Sequence, residues 1–218
     1  MTPSSAEGFH NRVISNTPVH CIYRVRGSVP RAKILGLKSE MDEVLAALRQ
    51  RYPDYEEIGS HAERAYLLEK EQFDEQYEAR YEGLLHQYAN REMPLQAPAV
   101  KQVILDSWYN IAARGLIDLY AVSVMSNHVH VLCGNPHLTG VVNLVELMAS
   151  HQRFTTTQLN RLEDRKGRKL WVRRFFDRDV RPGRFEQVLW YILNNPVKAG
   201  LSSDPLNWIG NYVKPGLV

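Results

Sequence analysis

Two short apolar runs near the middle of the chain, separated by only two residues, limit its fold more than any other feature. Ile117 to Met125 and His128 to Gly134 are rich in β-branched residues, and Ser126-Asn127 stands between them. Such runs with a two-residue connection are typical of a β-hairpin, because so short a turn can join two antiparallel strands. The chain is therefore predicted to contain an antiparallel sheet.

The segments on either side of this hairpin alternate between strand and helix patterns. The strand patterns lie at 17–27 and at 170–176 with Val180, and the helix patterns at 99–114, 140–162 and 184–194. The order strand, helix, strand, strand, helix, strand, helix predicts an α+β fold. We expect a ferredoxin-like sandwich, an antiparallel sheet with helices on one face, and a single domain over residues 1–218.

A long stretch between the first strand and the first helix of this pattern, 37–98, has its own helical spacing. Helix patterns at 39–51 and 60–90 are followed by Pro94 and Pro98. We interpret 37–98 as a helical insertion within the domain.

The charges are distributed unevenly, although the formal net charge is only +3. Residues 37–100 carry fourteen acidic and seven basic side chains, whereas residues 150–218 carry thirteen basic and six acidic. A basic final third favours a polyanionic partner, and the alternative is an ordinary solvated surface.

Cysteine content and hydropathy exclude several protein classes. Cys21 and Cys133 are the only cysteines, too few for a disulfide framework or a cysteine-rich zinc site. No apolar run approaches the roughly 20 residues that a membrane span needs, and Met1 to Gly8 lacks the apolar core of a signal peptide. We expect a cytoplasmic protein without membrane contact.

The strongest chemical signal is the pair of histidines in Asn127-His128-Val129-His130. Successive side chains of a strand alternate between faces, so His128 and His130 project from the same face. Two imidazoles in that relation can chelate one divalent metal, with Mn²⁺ or Zn²⁺ better suited to imidazole than Mg²⁺. A structural histidine pair is the alternative.

A second signal lies near the end of the chain, in Tyr191-Ile-Leu-Asn-Asn-Pro196. Tyr191 and Asn195 are four residues apart and therefore share one face of a helix. Such a helix can present a phenolic nucleophile together with an amide-oxygen metal ligand. The alternatives are a core aromatic for Tyr191 and a helix-end cap for Asn195, which precedes a proline.

These motifs together resemble one family. Met125-Ser-Asn-His-Val-His-Val-Leu132 is similar to the HUH motif of single-tyrosine transposases. Trp171 to Asp177 and Tyr191 to Leu201 resemble the C-terminal half of REP-associated tyrosine transposases, which carry the transposase IS200-like domain. Val19 to Arg26 resembles the opening strand of that family. The resemblance covers about residues 17–35 and 100–213.

The resemblance implies a chemistry and a substrate. His128, His130 and Asn195 would hold a divalent metal, Mg²⁺ or Mn²⁺, and Tyr191 would attack a phosphodiester of single-stranded DNA. The products would be a 5′-phosphotyrosine and a free 3′-hydroxyl, which a second attack rejoins without a nucleotide cofactor. The family's usual substrate is a short DNA hairpin with a flanking single strand, and its REP-associated branch suits a monomer more than a dimer.

Basic side chains are the candidates for DNA-backbone contacts. Clustered cations beside Trp171 and Phe175 are typical of single-strand binding surfaces, which combine charge with stacking. The candidates are Arg24, Arg26, Arg153, Arg165, Lys166, Arg168, Lys169, Arg173 and Arg174.

Other functions compete with this interpretation. A histidine-triad hydrolase would require a third histidine at Leu132, and a metal-dependent phosphohydrolase would require acidic ligands near the histidines, where only Asp118 and Glu146 occur before residue 160. The serious alternative is a catalytically silent, domesticated module that binds DNA or RNA hairpins, because a ferredoxin-like sheet is a common nucleic-acid platform. Only activity separates that module from the enzyme.

His20 lies on the first strand, which is expected to neighbour the strand of His128 and His130. A fourth ligand or a proton relay is one interpretation, and a packed histidine with a hydrogen-bond partner is the other.

Overall fold

Five antiparallel strands form the central sheet of the fold. A computed structural model describes residues 12–89, 93–136 and 140–218. Their elements are β1 Val13–Ile14, β2 Val19–Arg24, α1 Arg31–Arg51, α2 His61–Gln87, α3 Pro98–Ala113, β3 Asp118–Val124, β4 His128–Gly134, β5 Val142–Asn143, α4 Leu144–Leu162, β6 Phe176–Asp179, α5 Phe185–Leu193, α6 Asn195–Lys198 and β7 Asn211–Val213. The sheet order is β6-β2-β4-β3-β7, and β1 pairs separately with β5. The predicted α+β class with an antiparallel sheet is confirmed.

The predicted hairpin is formed by β3 and β4. Val124 pairs with Val129, and the amide of Met125 donates to the carbonyl of His128, so Ser126 and Asn127 form the turn. Neither turn residue has a positive φ, unlike the usual tight hairpin turns.

Tertiary hydrogen bonds stabilise this turn, because its two residues are not strong turn formers. The Ser126 hydroxyl donates to the carbonyl of Ala89, and the Leu95 amide donates to the Ser126 carbonyl. Lys101, which is buried, donates to the carbonyls of Leu95 and Met125, and its burial lowers its pKa to about 8.

Helices cover both faces of the sheet, which corrects the expectation of helices on one face. One face packs against α3 and α4, with Cys21 and Val131 of the sheet meeting Ile104, Trp108 and Met148. The opposite face packs against α5, because Leu189, Ile192 and Leu193 cover Ala121 and Leu132. Helical periodicity predicted α5 at 184–194, but periodicity does not specify which face of the sheet a helix packs against.

The strands of the structure differ from the sequence-based prediction in several places. The strand expected at Leu170 to Phe176 starts only at Phe176, and before it Trp171 makes one isolated bridge to Val25. The Trp171 indole donates to the hydroxyl of Thr155 at 2.9 Å, so this apolar segment is anchored by the core instead of a strand ladder. The short strands β1, β5 and β7 were not predicted, since two or three residues give too little periodicity to detect. Because β5 occupies Val142–Asn143, the helix expected from residue 140 begins only at Leu144.

Residues 27–88 form a compact unit of their own. It contains α1 and α2, linked by ion pairs between Arg51 and Glu69 and between Arg80 and Glu40. The interpretation of 37–98 as an insertion within a single domain stays a prediction. Within the part of the chain described here, no helix combines the length and apolarity that crossing a membrane requires.

A buried polar network lies in the core against α3 and α4. The Trp108 indole donates to the Tyr23 oxygen at 3.0 Å, so the Tyr23 hydroxyl donates to Nε2 of His151 at 2.7 Å. Nδ1 of His151 then donates to the Ser107 hydroxyl at 2.8 Å. Both ring nitrogens of a neutral His151 are satisfied, and burial lowers the pKa of His151 to about 3.

This network predicts a loss of stability in acid. Unfolded histidine titrates near pH 6.5, so the unfolded chain binds more protons than the native one as the pH falls from about 6.5 towards 3. Tyr23 is the titratable group among the network partners of His151, and burial raises its pKa. Between pH 6.5 and 4 the native protein should lose about 2–3 kcal/mol more stability than His151→Gln, measured by urea unfolding. Parallel pH profiles for the two proteins would show that His151 does not remain neutral in the fold.

Candidate metal and tyrosine site

The two histidines of β4 converge on one point. His128 and His130 are completely buried and project from the face of the sheet that α5 covers. Their Nε2 atoms are 3.0 Å apart, and their ring planes are inclined by 71°. The predicted position of both imidazoles on one face agrees with this geometry.

The turn before β4 orients the first imidazole. Nδ1 of His128 lies 2.6 Å from Oδ1 of Asn127. An amide oxygen only accepts hydrogen bonds, so Nδ1 carries the proton and Nε2 of the neutral ring presents its lone pair. The sequence gave Asn127 a place in the turn and in the histidine motif, and the structure adds a direct contact to the first imidazole.

The separation of the two Nε2 atoms fits a shared divalent cation. Metal–imidazole bonds of about 2.1 Å with nitrogens 3.0 Å apart correspond to an angle of about 90° at the metal. Among the described residues there is no group of three or more histidine, cysteine or acidic side chains suited to a metal.

Tyr191 lies beside these histidines. It is half-buried on α5, and its ring is perpendicular to those of His20 and His130, with centroids 6.0 and 6.4 Å away. The fold thus brings together a strand histidine pair and a helix tyrosine that are separated by about sixty residues of sequence.

Asn195 follows one helical turn later. Its Nδ2 donates to the carbonyl of Tyr191 at 3.0 Å, so its Oδ1 is the atom that a metal would use. Asn195 is buried and begins α6, and the cap of α5 is Asn194. Its predicted role as third ligand stays a prediction.

Lys198 on α6 adds a positive charge. Its Nζ lies 3.9 Å from the centroid of the Tyr191 ring. A cation over the face of a phenol is attracted to the ring and favours negative charge developing on the oxygen. No role was assigned to Lys198 from the sequence.

Four of the predicted DNA-binding arginines lie at the end of the sheet where the histidine strand begins. Arg24 is the cross-strand partner of His128 and therefore shares its face. Arg26 is exposed just beyond β2, and Arg173 and Arg174 are exposed just before β6, the neighbour of β2.

The other five predicted DNA-binding residues lie on α4 and the segment after it. Arg168 pairs with Glu163 at 2.5 Å and donates to Asn160 at 3.1 Å, and Arg165 lies 3.6 Å from Glu163. Arg168 thereby stabilises the turn after α4. The remaining three are exposed: Arg153, Lys166 and Lys169.

Comparison with known proteins identifies a family match whose range includes the histidine pair, Tyr191 and Asn195. The family model described as "Transposase IS200 like" matches residues 73–195, more than half of the chain, and this range ends at Asn195. A search of curated protein sequences returned no match. Among solved structures, one described as the REP-associated tyrosine transposase bound to a REP hairpin has a TM-score of 0.49 and 13% identity, covering 95% of this chain and 80% of that one.

Proposed function

Because the chain belongs to the IS200-like transposase family, we propose that it is a metal-dependent endonuclease and strand transferase acting on single-stranded DNA beside a hairpin. The observation that carries this proposal is the convergence of His128 and His130, with Nε2 atoms 3.0 Å apart, next to the Tyr191 ring. If the histidine pair were purely structural, there would be no chemical reason for a tyrosine beside it with a lysine over the tyrosine ring.

The residues would divide the reaction among them. His128, His130 and the amide oxygen of Asn195 would hold the divalent cation, Mg²⁺ or Mn²⁺. When bound, the cation polarises the phosphate and stabilises the charge that develops on it. Arg24, which shares the face of His128, would hold a flanking backbone phosphate.

Tyr191 would provide the nucleophile. Its oxygen forms the new bond to phosphorus while the bond from phosphorus to the 3′ oxygen breaks, leaving a 5′-phosphotyrosine and a 3′-hydroxyl. The phenol proton leaves as the bond forms, and the 3′ oxygen takes up a proton. A free tyrosine has a pKa near 10, so positive charge at Lys198, 3.9 Å from the ring, would favour its ionised form in the transition state.

The proposal is tested by the formation of a covalent complex. The full chain is incubated with hairpin oligonucleotides that carry randomised 5′ and 3′ single-stranded flanks, labelled at either end, with Mn²⁺, Mg²⁺ or EDTA. A denaturing gel should show protein that retains the 3′ label in a metal-dependent manner and releases the 5′ label. A native gel shift without any covalent band would instead support the hairpin-binding module.

A further inference from the structure

His20 on β2 contacts the second histidine of the candidate metal site. It is 3% exposed, and its Nε2 lies 3.0 Å from Nδ1 of His130. The two ring planes are nearly parallel, inclined by 14°, and the centroids are 5.3 Å apart, so the rings meet edge to edge. This contact is on the opposite side of the His130 ring from the nitrogen that faces His128.

His20, His130, His128 and Asn127 form a row of side chains joined by successive hydrogen-bond contacts. The protons in this row can be arranged in two ways. In the first, His20 donates to His130, His130 donates through Nε2 to His128, and His128 donates to Asn127. In the second, His130 donates through Nδ1 to His20, and both Nε2 atoms present lone pairs to the same point. The second arrangement is reached when His130 and His20 each move their proton from Nε2 to Nδ1. The row therefore binds the same number of protons in both arrangements.

We propose that His20 is a positioning residue that accepts the Nδ1 proton of His130 and thereby turns the His130 lone pair towards a divalent cation. This inference rests on the proposed metal site of His128 and His130. Hydrogen-bond acceptors behind ligating histidines fix the ring and its tautomer, and their loss typically weakens metal affinity by about 10–100-fold.

Substitutions at position 20 separate this role from packing. His20→Phe keeps a flat ring but accepts no hydrogen bond, whereas His20→Gln supplies an amide oxygen that accepts one. Ile22→Val, at the next position on the same face of β2, is the matched control. Mn²⁺ affinity is measured by isothermal titration calorimetry on the full chain, with circular dichroism as the check of folding.

The expected result is a loss of Mn²⁺ affinity of about 10–100-fold in His20→Phe, with most of it restored in His20→Gln and none lost in Ile22→Val. Unchanged affinity in His20→Phe, or equal losses in the Phe and Gln variants, would overturn the proposal. Loss of binding in His128→Ala and His130→Ala identifies the metal site itself. If those two variants bind Mn²⁺ with unchanged affinity, the metal site of the proposed function is wrong, whatever the result at His20.

A measurement on the unaltered protein covers the case in which the variants do not fold. Long-range ¹H–¹⁵N NMR of the histidine rings, with Zn²⁺ as a diamagnetic probe, reports which nitrogen carries each proton. His130 should be protonated at Nδ1 in the Zn²⁺ form, with its Nε2 resonance shifted by the metal. A proton on Nε2 of His130 in that form would contradict the proposal.

Discussion

Tyr191→Phe should abolish the covalent protein–DNA complex and leave hairpin binding within about twofold of the unaltered protein. The variant loses only the attacking oxygen, and its ring still fills the space beside His20 and His130. Removing the nucleophile of a covalent mechanism typically lowers the rate by at least about 10³-fold. Adduct yield on denaturing gels and affinity on native gels are the measurements.

Tyr212→Phe is the matched control for this change. Tyr212 lies on β7 and packs edge-on against Tyr109, with centroids 5.0 Å apart, in the core cluster of α3 and α4. It should form the adduct at the normal rate. A covalent complex that persists in Tyr191→Phe would move the nucleophile to another tyrosine, with Tyr212 and Tyr109 tested first.

Replacing either histidine of the pair should remove both metal binding and cleavage. His128→Ala or His130→Ala leaves one imidazole, which does not chelate, so Mn²⁺ affinity and adduct formation should each fall by about 10²-fold or more. Because the two imidazoles act as a unit, the double variant should be scarcely worse than either single one. Calorimetry measures the affinity, and denaturing gels measure the adduct.

The control for the histidine pair is His61→Ala, which removes an exposed imidazole at the start of α2. It should leave both quantities unchanged. Since His128 and His130 are fully buried, thermal unfolding of each variant is recorded without metal. Metal-independent adduct formation in a folded His128→Ala protein would contradict the proposed role of the pair.

Local periodicity was sufficient for much of the fold. Alternation along a strand placed His128 and His130 on one face, and the two apolar runs around Ser126-Asn127 indicated the hairpin that β3 and β4 form. Helical spacing located α3, α4 and α5 to within a few residues. These features depend on neighbours in sequence, and short-range geometry is fixed by the chain itself.

Strand pairing over long distances decided the surroundings of the site. His20 reaches His130 only because β2 pairs with β4 in the register that sets Ile22 opposite His130, across more than a hundred residues. The weak turn holds Asn127 against His128 because Ala89, Leu95 and Lys101 supply its hydrogen bonds.

The sequence by itself determined which side chains can do chemistry and which of them share a strand face or a helix turn. Tertiary structure alone decided that α5 lies on the histidine face and sets Tyr191 beside His130, and that Lys198 lies over the tyrosine ring. The physical reason is that periodicity specifies which residues of an element are apolar. The partner that buries them is selected by packing among all the elements together.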